Sequence, residues 1–278
     1  MTRKVSTKKI RILGVQINSK IGDKDANFNK ISELLNEHSW YKPDLIVLPE
    51  VFNTGVDHEL FKKMAEPVGG VSTDFLSSLA KQHAANIVGG SFIEKCPDGS
   101  LKNTSLVFDR EGQIIGRYSK IHLFSYYGIN EGKYLTAGDK AVVVNTDFGR
   151  IGLSICYDLR FPELYRTLAL AGAEVVVCPA AWPYPRHDHW ITLSKARAIE
   201  NQFCMVSVNQ CGKTAPEWTN LGHSMVIDPW GQVVACAGSN EGVVMSEIDL
   251  DRVSRLREEF PVLSDRNLDA YTISEFNK

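Results

Sequence analysis

Apolar positions fall along the chain in short runs of six to ten residues with polar or turn residues between them. RILGVQIN, DLIVLP, NIVGGSFIEK, NTSLVFD, IIGRYSKIHL, AVVVNT, IGLSIC, EVVVCPA, CMVSVNQ, HSMVID, VVACAG and GVVMSEIDL are rich in β-branched residues, which predicts about a dozen strands. A 3.6-residue period is interleaved among them. It predicts helices in ANFNKISELLNEH, STDFLSSLAKQHAA, PELYRTLALAG, HWITLSKARAIEN and DRVSRLREEF, with Ser72 or Thr73 as an N-cap and Gly172 at a C-cap.

The order of these elements narrows the architecture. Strand-helix-strand units over 10–48 and 151–178 alternate with hairpins, whose turns are expected at CPDGS, DREGQ, DPWGQ and SNEG. Continuous apolar strands need cover on both faces. The expected fold is therefore α/β: a four-layer αββα sandwich of two mixed β-sheets flanked by helices. No Pro/Gly/Ser-rich linker, repeat or low-complexity tract interrupts the chain, so one domain over 1–278, with its core at about 9–271, is expected.

Composition removes several classes of function. With 44% hydrophobic and 23% charged residues and a net charge of -2, the chain has the make-up of an ordinary globular protein and no electrostatic reason to bind nucleic acid. No apolar run is long enough to cross a bilayer, and the N-terminus is too short and polar for a signal segment, so cytoplasmic residence is expected. The six cysteines form no C-x-x-C pair and are expected to be mostly reduced core thiols.

Candidate chemistry gathers at three strand ends, where α/β sheets present reactive groups to solvent. Glu50 directly follows the apolar run DLIVLP, a half-buried position suited to a general base or equally to the start of a loop. Lys120 ends the β-patterned IIGRYS; alone it would read as a solvated lysine. Cys156 ends IGLSI, and Pro162 then starts a helix, so the thiol lies at a strand-to-helix turn where backbone N–H groups can face an oxyanion. Most buried cysteines are inert, and Cys178 and Cys204 inside apolar strands read that way. Cys156 differs in being followed by Tyr157, Asp158 and Arg160. A base, a cation and a thiol are together the set needed to hydrolyse a carbon-nitrogen bond through a thioester.

LPE with Glu50, RYSKIHL with Lys120 and CYDLRFPEL with Cys156 resemble, in order and separation, the signature segments of the nitrilase, or carbon-nitrogen hydrolase, superfamily. The resemblance continues through AWPYPRHDHW, ARAIENQ, GHSMVIDPWG and DRNLDAY, from about Lys9 to Tyr271. It implies a Glu-Lys-Cys triad, an αββα fold, no cofactor and a homodimer or higher homo-oligomer. Glu131, with Gly138 downstream, is similar to the second glutamate that many amidases of the family place beside the triad. CYDLRFPE, the segment from Trp182 to Trp190 and ARAIENQ look most like the ω-amidases, which release ammonia from amides of small dicarboxylic acids such as 2-oxoglutaramate.

The resemblance implies that Glu50 deprotonates Cys156, that Lys120 and the Tyr157 N–H hold the oxyanion, and that Lys120 favours the thiolate. Glu131 would orient Glu50 or the amide nitrogen. Arg160 is the candidate for a substrate carboxylate, with an ion pair to Asp158 or Glu163 as the competing role; Tyr126 and Trp182 are candidate pocket walls, Trp182 with a core role in competition. An N-carbamoyl amide hydrolase or nitrilase is the enzymatic alternative, and a silent binding scaffold the non-enzymatic one. His187 and His189 lack a third ligand at recognised spacing, and no metal is expected.

Overall fold

The computed structural model describes residues 8–270 except 127, 216 and 217, so the expected end of the core at 271 lies outside the described residues. The strands are β1 (Lys9–Gln16), β2 (Leu45–Val47), β3 (Asn86–Val88), β4 (Phe92–Lys95), β5 (Leu101–Phe108), β6 (Ile114–Ser119), β7 (Val143–Asn145), β8 (Arg150–Leu153), β9 (Val175–Ala180), β10 (Cys204–Asn209), β11 (Cys211–Ala215), β12 (Trp218–Leu221), β13 (Met225–Ile227), β14 (Val233–Cys236) and β15 (Gly242–Asp249). The α-helices are α1 (Lys24–Glu37), α2 (Phe61–Met64), α3 (Val71–His83), α4 (Pro162–Leu170), α5 (His187–Asn201) and α6 (Asp251–Glu259).

One sheet runs β15-β1-β2-β3-β5-β4 with β6 on the other edge of β5; the second runs β14-β13-β10-β9-β8-β7. Both are mixed. The units β1-α1-β2 and β8-α4-β9 put parallel strands side by side, and antiparallel strands flank them.

Alternation along the strands builds the layers. In β2, Leu45 and Val47 join Val175 and Val177 of β9 and Val206 and Val208 of β10 in one core between the sheets. Their neighbours point outward. Ile46 packs with Ile31 and Leu35 of α1 and Leu76 and Leu79 of α3, while Val176 and Cys178 pack with Leu164 and Leu168 of α4 and Trp190 and Ala198 of α5. This is the expected αββα sandwich, with strands buried on both faces.

The details depart from the sequence reading in four places. NIVGGSFIEK is two strands, β3 and β4, which pair with successive stretches of β5 on either side of Gly89-Gly90. SNEG is not a hairpin: β14 and β15 belong to different sheets, and the segment carries the chain from one to the other. The hairpin β11–β12 was not expected. The α3 N-cap is Gly70 rather than Ser72 or Thr73; both lie inside the first turn, where the Ser72 hydroxyl donates to buried Glu66 and Thr73 Oγ1 accepts the Gly69 N–H. Gly172 does follow α4 at φ 85°, with the Gly172 and Ala173 N–H groups bonding back to Ala169 and Leu168 as in a Schellman motif.

Candidate active site

Glu50 and Lys120 leave the first sheet beyond β2 and β6, and Cys156 leaves the second beyond β8, so the three meet where the two sheets adjoin. Each is held by backbone as well as side chain. Glu50 is 3% exposed; its Oε1 accepts from Asn103 Nδ2 (2.8 Å) and Lys120 Nζ (3.0 Å), its Oε2 from the Ala181 N–H (2.9 Å), and its carbonyl from Gln210 Nε2 (2.6 Å). The Lys120 N–H donates to the Asn103 carbonyl and the Lys120 carbonyl accepts the Gly138 N–H, which fixes the bend at the end of β6.

Lys120 is 1% exposed, and its Nζ lies 3.0 Å from Glu50 and 3.0 Å from the Glu131 carboxylate. Burial alone would discharge the ammonium, but Glu131 and Glu50 hold its pKa well above the ordinary lysine value. The ammonium is thus permanently charged and flanked by two carboxylates. Glu131 sits in a short 3-10 turn, Glu131–Lys133, with its Oε2 accepting the Phe124 N–H at 2.8 Å and its own N–H bonded to the Phe124 carbonyl. Its side chain therefore grips Lys120.

Cys156 begins a 3-10 turn, Cys156–Arg160, between β8 and α4, and adopts φ 47°. A non-glycine residue in this left-handed region costs about 1–3 kcal/mol unless the surroundings hold it there. Here they do. Asp158, fully buried, accepts from the Ile155 N–H (2.9 Å), Tyr118 Oη (2.6 Å), and the His122 N–H (3.0 Å) and Nδ1 (2.7 Å), tying the cysteine turn to the segment that follows Lys120. Arg197 Nε caps the turn at the Leu159 carbonyl. The Tyr157 N–H lies in the first turn, where a helix has no internal acceptor for it.

The Cys156 pKa is pushed well above the ordinary thiol value by burial and then by Glu50, and the opposing pull of Lys120 is smaller. Lys120 does pull towards the thiolate, in the expected direction, but burial and Glu50 outweigh it. The resting nucleophile is a protonated thiol beside a carboxylate that can take its proton.

Glu50, Lys120, Glu131 and Cys156 line one cavity whose empty space, counted out to its mouth, is about 550 Å³. The rest of the wall is largely aromatic and apolar, including Phe124, Ile129 and Trp218, with Arg160 and Arg186 set into it. Trp182 is 3% exposed and packs with Trp190 at 5.6 Å, and it also lines the cavity. The Arg160 guanidinium stacks over that ring at 4.6 Å and approaches His189 Nδ1 at 3.3 Å, while Asp158 is committed to Tyr118, His122 and Ile155. Tyr126 is placed outside the cavity: 57% exposed, it packs on Tyr157 and Phe124, and those two rings form the wall expected of it.

Asn103, Ala181, Gln210, Arg186 and His58 were not singled out from the sequence, and Asp158 was named only as a neighbour of Cys156 and a possible ion-pair partner of Arg160. Gln210, a polar side chain directly after the largely apolar run CMVSVN, carried the one usable signal. Among the described residues, no group of three or more His, Cys, Asp or Glu side chains is arranged to hold a metal ion.

The family model for carbon-nitrogen hydrolases matches residues 12–258. The chain is 38% identical over 257 residues to the 2-oxoglutaramate amidase of Bacillus subtilis, covering 92% of this chain and 97% of that protein. It is 33% identical over 271 residues to human omega-amidase NIT2, covering 95% and 97%. The crystal structure of Saccharomyces cerevisiae Nit3, a member of branch 10 of the nitrilase superfamily, superposes with a TM-score of 0.87 at 30% identity, covering 97% of this chain and 99% of that one. With the fold, the strand-end cluster and these relatives in agreement, the chain belongs to the carbon-nitrogen hydrolase family of the nitrilase superfamily and is an amide-hydrolysing enzyme.

Proposed function

We propose that the protein is an ω-amidase that hydrolyses the terminal amide of a small dicarboxylic acid, such as 2-oxoglutaramate, to the dicarboxylate and ammonia. The observation that carries this reading is one cavity holding Glu50, Lys120, Glu131 and Cys156 together with Arg160 and Arg186 in an apolar wall. A guanidinium fork matches a carboxylate, and a neutral amide would not need one. The names of the relatives in Bacillus subtilis and human support the same substrate class.

In this mechanism Glu50 takes the Cys156 proton as the sulfur attacks the amide carbon; the C–S bond forms and the carbonyl pair moves onto oxygen. Lys120 Nζ, which has a donor beyond those turned to Glu50 and Glu131, and the Tyr157 N–H stabilise that oxyanion. Collapse breaks the C–N bond as Glu50 returns its proton to the departing nitrogen, leaving a thioester and ammonia. Glu50 then draws a proton from water as it attacks the thioester, and the sulfur leaves as the Cys156 thiol. Glu131 acts by holding Lys120. No metal or organic cofactor enters the scheme, and the reading includes one catalytic domain in a cytoplasmic homodimer or higher homo-oligomer, the latter checked by light scattering.

The test is ammonia release by the wild type from ω-carboxylated amides, neutral amides of equal length, nitriles and N-carbamoyl compounds. The expected result is preference for the ω-carboxylated amides, with Arg160→Ala raising KM for them more than for neutral amides. Preference for N-carbamoyl compounds with release of carbon dioxide, or no turnover of any substrate, would overturn the reading.

A further inference from the structure

One carboxylate must collect a proton from sulfur and deliver it to nitrogen, and the two oxygens of Glu50 are not equivalent. Oε1 accepts from Asn103 Nδ2 at 2.8 Å and from Lys120 Nζ at 3.0 Å, whereas Oε2 accepts only from the Ala181 N–H, at 2.9 Å, among the described residues. A carboxylate offers about four acceptor directions, two on each oxygen. Three are filled, and the open one belongs to Oε2. The Cys156 thiol stands within hydrogen-bond reach of the same carboxylate.

Asn103 is the neutral half of the pair that closes Oε1. It lies in β5, is 2% exposed and forms no part of the cavity wall. The bond from its side chain to Glu50 uses the Nδ2 end of the amide, and its Oδ1 is buried without a partner. Turning the amide over would set that oxygen against the Glu50 carboxylate, so the orientation is fixed by Glu50 itself. A buried, unpaired acceptor is unfavourable, and the site retains it for the sake of the donor at the other end. The Asn103 carbonyl separately accepts the Lys120 N–H. One residue of β5 thus holds the base by its side chain and the cation by its backbone.

We propose that Asn103 is a positioning residue that, together with Lys120, occupies Oε1 of Glu50, so that Oε2 alone carries the proton through the reaction. This rests on the Glu50–Cys156 chemistry proposed above. The thiol proton passes to Oε2 as the sulfur electron pair forms the C–S bond, and from Oε2 to the departing nitrogen as the C–N bond breaks. In the second half the attacking water gives its proton to the same oxygen, which returns it to sulfur as the thioester C–S bond breaks. Oε1 keeps both donors throughout, and the carboxyl group has no need to turn over between steps.

The experiment measures kcat and KM from about pH 5 to about pH 9 in the wild type, Asn103→Leu and Asn103→Val. The substrate is whichever compound of the panel above is turned over fastest, so the substrate assignment can fail without touching this comparison. Both variants keep the Lys120 N–H bonded to a backbone carbonyl and lose only the donor to Oε1. The expected fall in kcat is about tenfold to a hundredfold, the range for a lost hydrogen bond to a charged group. KM should change by no more than about twofold, because Asn103 does not touch the cavity. The acid limb of the kcat/KM profile should move up by about one pH unit, since a carboxylate with one donor fewer holds a proton more tightly. Leu and Val should give the same displacement, because neither donates. A kcat that falls while the acid limb stays in place, or losses that follow the side-chain volume removed, would make Asn103 a packing residue and overturn the assignment, as would wild-type kcat in both variants. A wild type that hydrolyses nothing in the panel overturns the proposed function and this assignment with it.

Discussion

Cys156 is kept as a thiol by the same carboxylate that is to activate it. Burial and Glu50 raise its pKa, while Lys120 lowers it by a smaller amount. In Glu50→Gln the downward pull of Lys120 remains and the carboxylate's upward push is gone. We therefore expect Glu50→Gln to abolish ammonia release and yet speed alkylation of Cys156 by iodoacetamide near neutral pH, with the pH at half-maximal alkylation moving down. A slower alkylation in the variant would mean that Glu50 also serves as the base for that reaction, and that its charge is not what holds the thiol protonated. At this scale Glu50 and Cys156 were legible at the ends of apolar runs, whereas Lys120, which follows the mixed run IIGRYS, was legible only in their company and through the family resemblance. The sequence could not carry His58 or Arg186, which lie in loop segments whose path no periodicity describes, nor the grip of Glu131 on Lys120, which depends on a fold-back of the chain at Phe124.

The end of β6 shows how an element sets the position of a catalytic atom. A methyl group added at Gly138 would come 2.1 Å from the Ser119 carbonyl oxygen, a backbone atom with little freedom to retreat. The same glycine donates its N–H to the Lys120 carbonyl at 2.8 Å, so any displacement is passed to Lys120. Gly138→Ala is expected to destabilise the fold by roughly 1–3 kcal/mol through overpacking, read as a lower melting temperature. It should also lower kcat at least tenfold in the protein that remains folded, because Lys120 Nζ must stay 3.0 Å from both carboxylates. A destabilised variant with wild-type kcat would detach this contact from catalysis. Element types were legible wherever one period ran uninterrupted, as in β1-α1-β2 and β8-α4-β9. Legibility failed where pairing partners decide: SNEG has the composition of a hairpin turn, but β15 pairs with β1, more than two hundred residues earlier in the chain. The hairpin β11–β12 is too polar to announce itself.

For the molecule as a whole, burying strands on both faces means burying thiols that must stay neutral. Burial pushes Cys178 and Cys211 from 9.0 up to about 12, and raises Cys204 further. Below pH 9 these thiols are protonated whether the chain is folded or not, and they contribute no pH dependence. Above it the unfolded chain releases protons that the folded chain retains, so stability falls as pH rises, by about 1.4 kcal/mol per pH unit for each thiol until its folded pKa is reached. On the acid side, His58, His83 and His223 have pKa values lowered by burial from 6.5; the unfolded chain takes up protons first, and stability declines as pH drops below that value. Stability should therefore be greatest between about pH 6.5 and 9. Three thiols losing ground together amount to about 4 kcal/mol per pH unit, and Cys156, raised well above 9.0 as well, adds its own share, enough to exhaust a typical margin of about 5–15 kcal/mol within a few units. Urea unfolding measured from pH 7 to 11 checks this, and Cys178→Ala provides the control. The variant starts less stable because it leaves a cavity between β9 and the α4–α5 layer, but its alkaline slope should be shallower by one thiol's share. An unchanged slope would mean that the alkaline loss arises elsewhere, for which the buried hydroxyls of Tyr118 and Tyr165, both raised well above 10.0, are the next groups to remove.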